Sequence, residues 1–251
     1  MKKLSKNLIL SGYYSAHKFL SDFPENVINI YFGKTVYENT RLKNLMEIAT
    51  EIGLNFTILE NKSLSKISNN SKHQGVVVEV RIPKFGLDDD FLNFISSVKS
   101  KACILILDSI QDPGNLGACI RSASAFGVDA ILINKDRSAP INDHVFKSSV
   151  GEIFNLPIFY ITNLNRGINI LKNNGFWVAG LDGNALSSIY EENFHHKTAL
   201  VLGSEGFGIK KLVLNSCDKT LRIPISSHTE SLNVSVAAGI ALYEVKKQLA
   251  E

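Results

Sequence analysis

Apolar and polar positions recur with two periods along this 251-residue chain, and the change between them marks its elements. In the first third, residues 8–20 carry Leu8, Tyr13, His17 and Leu20 among polar neighbours, which predicts a helix. Val27–Phe32, Phe56–Leu59 and Gly75–Arg81 are short β-branched or aromatic runs that predict strands. Between them, Leu42, Leu45, Met46, Ala49 and Ile52 repeat at helical spacing, and Gly53 stops that helix; Leu64–Ile67 predicts a short helical turn. Pro83–Asp90 breaks the pattern with Pro, Gly and three acids and predicts a linker, followed by a helix over Phe91–Val98.

From Ile104 onward strands and helices alternate. Strands are predicted at Ile104–Leu107, Ala130–Ile133, Pro157–Ile161, Trp177–Gly180, Ala199–Leu202 and Thr220–Ile223. Helices are predicted at Leu116–Phe126, Asp143–Val150, Leu164–Asn174, Ile209–Asn215 and Ser231–Gln248. Such alternation implies an α/β unit with a mostly parallel sheet and helices on both faces. In the last helix, Leu232, Val236, Gly239, Ile240 and Tyr243 define the face expected to be buried. The chain therefore divides into residues 1–83, a linker and connecting-helix start over 84–100, and a larger domain over 101–251.

Composition narrows the classes. No run of about 18 apolar residues occurs, so no transmembrane helix is expected. The basic start, Met1–Leu10, has too short an apolar run for a signal peptide, and a cytoplasmic location is the default. Cys103, Cys119 and Cys217 are far apart and form no C-x-x-C, so reduced, mostly buried thiols are expected. The six histidines make no metal-ligand spacing, and His195–His196 are expected to be a solvated pair. No metal is called for. Residues 1–83 hold 11 Lys/Arg against 7 Asp/Glu, while residues 84–251 hold 16 against 17. A basic module joined to a neutral one suits nucleic-acid docking beside a catalytic unit.

Three segments carry candidate chemistry. Asp112-Pro-Gly-Asn-Leu-Gly-Ala-Cys-Ile-Arg121 follows the first core strand; Asp112-Pro-Gly reads as a turn and Asn115 as an N-cap of the next helix. Gly203-Ser-Glu-Gly-Phe-Gly208 also follows a strand, and its glycines let backbone approach a ligand closely. The third runs from Ile223 into Ser231-Leu-Asn-Val234, where Ser and Asn favour a helix start. A dinucleotide fingerprint is missing after the first strand, which argues against an NAD-dependent oxidoreductase.

In this order, the three segments resemble those of the SpoU/TrmH-like family of RNA ribose 2'-O-methyltransferases, over about Lys101–Glu251. The resemblance implies a SPOUT-type parallel-sheet methyltransferase domain with a trefoil knot near the C-terminus. It implies S-adenosylmethionine as methyl donor, with Gly203, Ile223 and Leu232 lining its pocket. It places Asn115, Arg121, Glu205, Ser231 and Asn233 in the active site. The resemblance casts Arg121 as a general base, helped by the substrate phosphate; because a guanidinium stays protonated, the preferred expectation is that Arg121 binds the phosphate beside the target ribose and stabilises negative charge. Glu205 is expected to hold Arg121 or an RNA hydroxyl. Ser227 stands where the family often has Gly, and Ile225 where it often has Met; the serine would crowd the loop only if its φ were positive.

His73-Gln-Gly-Val-Val-Val78 and Gly12 with the following helix are similar to the branch that methylates a guanosine in 23S rRNA, whose first domain is a ribosomal-protein-like RNA-binding fold. The sequence departs from that branch at Tyr13-Tyr-Ser-Ala16, where Gly-x-His-Ala is usual. Arg137-Ser-Ala-Pro140 also points to this branch. Large-subunit ribosomal RNA is the implied partner, together with a second copy of the chain in a homodimer. A tRNA guanosine is the alternative target, and a non-catalytic ribosome-assembly factor the alternative class.

Overall fold

The computed structural model describes residues 7–69, 72–98 and 100–249. The basic start before Asn7 lies outside the described residues. The chain forms two compact units: residues up to Pro83 with 141–143, and residues 84–140 with 144–251.

The first unit is a four-stranded sheet with helices. Its strands are β1 (Asn7–Ser11), β2 (Val27–Gly33), β3 (Phe56–Leu59) and β4 (Val76–Arg81), in the order β1-β4-β2-β3. β4 runs antiparallel to both neighbours, and β2 parallel to β3. Helices α1 (Tyr13–Asp22), α2 (Thr40–Glu51) and α3 (Asn61–Ser68) bury Phe19, Leu20, Leu42, Leu45 and Leu64. The helix expected over residues 8–20 is thus two elements. Asn7–Ser11 pairs residue by residue with β4, and Gly12, at φ 102, turns the chain before α1 begins. Edge pairing supplies backbone partners that local spacing cannot reveal.

The second unit holds a seven-stranded, wholly parallel sheet in the order β7-β6-β5-β10-β8-β11-β9. Its strands are β5 (Ala102–Asp108), β6 (Ala130–Asn134), β7 (Ile158–Ile161), β8 (Trp177–Leu181), β9 (Ser187–Ser188), β10 (Lys197–Gly203) and β11 (Lys219–Arg222). Helices α4 (Asp88–Ser97), α7 (Leu164–Asn173) and α8 (Lys211–Leu214) cover one face, where Phe91, Ile95, Ile168 and Val213 pack on Ile104, Ile106, Leu132 and Val201. α5 (Pro113–Ala125) packs against α9 (Val234–Leu249), and α9 against β10. α6 (Asp143–Ser149) follows the β6 connection. Parallel strands buried on both faces explain the near-continuous apolar runs Cys-Ile-Leu-Ile-Leu107 and Ala-Leu-Val-Leu202.

Residues 84–100, expected as a linker and the start of a connecting helix, hold that helix as α4, while the stretch before it packs onto this unit. Gly86 donates to the Ile158 carbonyl at 2.9 Å and accepts from the Tyr160 amide at 2.9 Å, extending the β7 edge. The Asp88–Asp90 run opens α4. Asp90 accepts the Leu87 N–H at 2.9 Å, and Asp88 accepts the Thr162 hydroxyl at 2.9 Å. These acids cap and brace a helix start, where its dipole favours negative charge.

The expected buried face of α9 is also corrected. Val234, Ala238, Ala241, Leu242 and Val245 are the apolar residues it buries, with Glu244 beside them, whereas Val236 is 50% and Tyr243 58% exposed. The helix is apolar on two faces; the second is only partly covered, with Tyr243 meeting Phe126 edge-on at 6.1 Å and Val236 left exposed.

Candidate active site

Three connections at the C-terminal ends of β5, β10 and β11 build the site. After β5, Asp112 caps α5: its carboxylate accepts the Asn115 N–H at 2.7 Å, and Pro113 takes the first helical position, where its missing N–H costs nothing. Asn115 is therefore not the cap expected from sequence but lies inside the first turn. Its side chain is free to reach outward. The Asp-Pro pair was the available signal for this cap.

After β10 the chain makes a tight hairpin. The Gly208 N–H returns to the Ser204 carbonyl at 2.8 Å. A Cβ on Gly203 would lie 1.9 Å from the Gly208 carbonyl carbon, so only glycine permits this closure. Gly206 (φ 84) and Gly208 (φ 65) supply the left-handed turns. Glu205 is held at the tip.

After β11, residues 223–233 run as an open segment into α9. Ser231, Leu232 and Asn233 precede the helix, which begins at Val234 rather than at Ser231. Asn233 is its cap, accepting the Ser235 N–H at 2.9 Å and the Ser235 hydroxyl at 2.6 Å through Oδ1. Its Nδ2 donates to Asn115 Oδ1 at 3.0 Å and to Glu205 Oε1 at 2.6 Å. An ionised carboxylate only accepts, which fixes the amide orientation, and the two acceptors use both Nδ2 hydrogens. Ser235, which sequence reasoning did not single out, completes this lock.

The structure thus brings Asn115, Glu205 and Asn233 into one hydrogen-bonded cluster. Among the described residues Glu205 makes no ion pair with Arg121; its Oε1 accepts from Asn233. Arg121 lies further along α5, exposed and with no ion pair or side-chain hydrogen bond among the described residues. Ser231 is exposed and outside the cluster. Gly203, Ile223 and Leu232 are half-buried on the strand ends and the segment that meet at the Glu205–Asn233 contact. Ser227 is not among the described residues with positive φ, so it fits this loop without strain.

The hairpin and the 223–233 segment converge with backbone groups and two partly open aliphatic side chains. That suits a nucleoside-bearing methyl donor, which needs close main-chain approach and an apolar wall. Cys119, on α5, has its thiol pushed up to about 12 by burial, with the negative charge of Glu205 adding to the shift. It stays protonated and offers no nucleophile. Cys103 and Cys217 are likewise pushed up to about 12, chiefly by burial. Among the described residues, no group of three His, Cys, Asp or Glu could hold a metal, and no helix is long and apolar enough to cross a membrane. His195 stacks on Trp177 at 5.3 Å, away from the cluster.

A parallel sheet with this cluster at its strand ends has clear counterparts. The profile of the SpoU rRNA Methylase family matches residues 102–243, and that of an RNA 2'-O ribose methyltransferase substrate-binding domain matches residues 19–86. The chain belongs to the SpoU rRNA methylase family. Among curated proteins, it is 36% identical over 245 residues to the 23S rRNA (guanosine-2'-O-)-methyltransferase RlmB of Coxiella burnetii, covering 98% of this chain and 97% of that protein. It is 37% identical over 211 residues to RlmB of Xanthomonas campestris, covering 84% and 85%. Among solved structures, the SpoU methyltransferase AviRb of Streptomyces viridochromogenes, in complex with the cofactor AdoMet, superposes with a TM-score of 0.77 over 97% of this chain and 90% of that one. At 20% identity, that likeness is one of fold.

Proposed function

We propose that this protein transfers a methyl group from S-adenosylmethionine to the ribose 2'-oxygen of a guanosine in large-subunit ribosomal RNA. The Asn115–Asn233–Glu205 cluster carries the reading, supported by full-length similarity to RlmB proteins that act on 23S rRNA. S-adenosylmethionine supplies an electrophilic sulfonium methyl when bound. The hydroxyl loses its proton as the new O–CH₃ bond forms, and S-adenosylhomocysteine leaves.

The chain's own residues position that reaction. The Gly203 hairpin, Ile223 and Leu232 form the donor wall. Glu205 Oε2 has no hydrogen-bond partner among the described residues and accepts the hydrogen bond of the 2'-hydroxyl, through which the proton leaves to solvent. Arg121, unpaired and exposed, holds the adjoining phosphate and offsets developing negative charge. Asn233 fixes Glu205 and Asn115 in register, and Ser231 borders the pocket at the entry to α9.

Exposed Val236 on the second apolar face of α9, with the part of Tyr243 that Phe126 leaves open, supports a homodimer. Light scattering should give twice the 27.7 kDa chain mass at micromolar concentration, and a strict monomer there would contradict it. The reaction is tested by mapping 2'-O-methyl groups after incubation with S-adenosylmethionine and unmodified ribosomal RNA and tRNA. One new 2'-O-methylguanosine in large-subunit RNA, lost with Arg121→Ala, is expected. A methyl group on tRNA alone would transfer the assignment to the tRNA branch. Near-normal turnover of Arg121→Lys would argue against bidentate phosphate binding.

A further inference from the structure

A second site lies on the other face of the sheet. Along β5, Ala102, Ile104 and Ile106 point into the core beneath α4, α7 and α8, and alternation puts Asp108 on that same face. There a cavity of about 280 Å³ opens at the C-terminal ends of β5, β6 and β7, beside the residue Lys210 that follows the β10 hairpin. From β5 the chain proceeds to β6 and β7 on one side of the sheet, while β10 and β8 lie on the other. This reversal is the place where open α/β sheets bind ligands.

The cavity's polar groups are built rather than incidental. Asp108 is wholly buried, and its carboxylate accepts the Lys210 N–H at 2.9 Å, the Lys210 ammonium at 2.9 Å and the Ser109 hydroxyl at 2.8 Å. The Lys210 ammonium also bonds the Ser109 hydroxyl, which leaves its third N–H for the cavity. Ser109 holds a left-handed φ of 64, a strain that collects at ligand sites. Arg137 and Asp136 line the opening, and among the described residues their side chains have no ion pair or hydrogen bond. The Asn134 and Asn163 side-chain oxygens are used within the chain, by the Asp136 and Asn165 amides at 3.2 and 3.0 Å, so their NH₂ groups remain as donors.

Two cations and two carboxylates cancel, so the cavity offers a phosphate no net field. It offers matched donors and an acceptor to a flat, neutral, polar ligand. Guanine presents N7 and O6 acceptors on one edge, the standard bidentate partner of Arg, and N1–H and N2–H donors on the other, which suit a carboxylate. We infer that this cavity is a second nucleotide subsite, in which Arg137 and Asp136 hold an unstacked guanine of the substrate RNA other than the methylated one. The inference rests on the reading of the chain as an RNA-modifying enzyme, but its test does not require methyl transfer.

The test is equilibrium binding of a large-subunit RNA fragment to the full chain. Each guanosine is replaced in turn by 7-deazaguanosine, which lacks the N7 acceptor. One non-target position should weaken binding about tenfold with the wild type and not at all with Arg137→Ala. Arg137→Ala itself should weaken the unmodified fragment about tenfold, with an unchanged salt slope, and Arg137→Lys should not rescue it. Arg137 is exposed and unpaired, so these variants keep the fold. Wild-type-like binding by Arg137→Ala, the absence of any sensitive position, or a salt slope reduced by about 1, the mark of a phosphate contact, would each overturn the assignment. If the fragment binds with this pattern yet acquires no methyl group, the methyltransferase reading fails while the subsite stands.

Discussion

The closure of the Gly203 hairpin invites a single-atom perturbation. In Gly203→Ala, the added methyl would lie 1.9 Å from the Gly208 carbonyl carbon and 2.1 Å from the Ile209 nitrogen, against about 3.4 Å for ordinary contact. Both obstacles are backbone, so no side chain can rotate away, and the hairpin must open by about 1.5 Å. Glu205 rides on that hairpin and is fixed at 2.6 Å from Asn233, so the shift pulls the carboxylate from its partner. Forcing a methyl into a packed site costs about 1–3 kcal/mol, which at about 2–4 °C per kcal/mol for a domain of this size is a fall in Tm of about 2–12 °C. Misplacing a reacting group by about 1 Å lowers kcat about 10²-fold. Single-turnover methyl transfer and thermal unfolding measure the two effects. Gly183→Ala, where an added methyl meets nothing within 4 Å, is the control and should change neither quantity. Gly203→Ala with kcat within twofold of wild type and an unmoved Tm would refute the reasoning.

Further outcomes follow from individual contacts. Asn233→Ser keeps a capping oxygen but cannot bridge Asn115 and Glu205. It should hold Tm close to wild type while lowering kcat about 10²-fold, and Asn233→Ala should also lose about 1 kcal/mol of stability in denaturant melts. Tyr160 buries its hydroxyl with no partner among the described residues and its pKa is pushed up to about 12 by burial, so Tyr160→Phe should stabilise by about 1 kcal/mol; a lower Tm would contradict this. The three thiols move from 9.0 to about 12 on folding. Their folded pKa values are raised, so their contribution to stability is intact below pH 9.0 and is lost as pH rises towards 12. Tm should therefore decline above about pH 9, and an uncharged alkylating reagent at pH 8 should label no cysteine until the chain unfolds.

Much of the second unit was legible because its signals are local. Five of its seven strands show as apolar runs; β11, Lys-Thr-Leu-Arg, is mostly polar, and β9, two residues long, leaves none. The glycines of 203–208 announce a turn whatever surrounds them. The errors have a common cause. Residues 8–11 carry a helix-like spacing, yet β4 recruits them as an edge strand. Residues 84–87 look like linker until the β7 edge offers Gly86 two hydrogen bonds. On α9, a sequence apolar on two faces does not say which face its own chain will cover.

What the sequence by itself determined is the alternation of strand and helix, the parallel sheet that alternation requires, and the residue types able to bind, cap and turn. Tertiary structure decided the rest. Asn115 and Asn233 are 118 residues apart, and Glu205 is 28 residues from Asn233; they meet because strand order places β5 beside β10 and packs α5 on α9. The same order carries Lys210 to the far side of the sheet, onto Asp108. Hydrogen bonds of this kind depend on strand neighbours, and strand neighbours are chosen by the burial of whole faces rather than by any local run of residues.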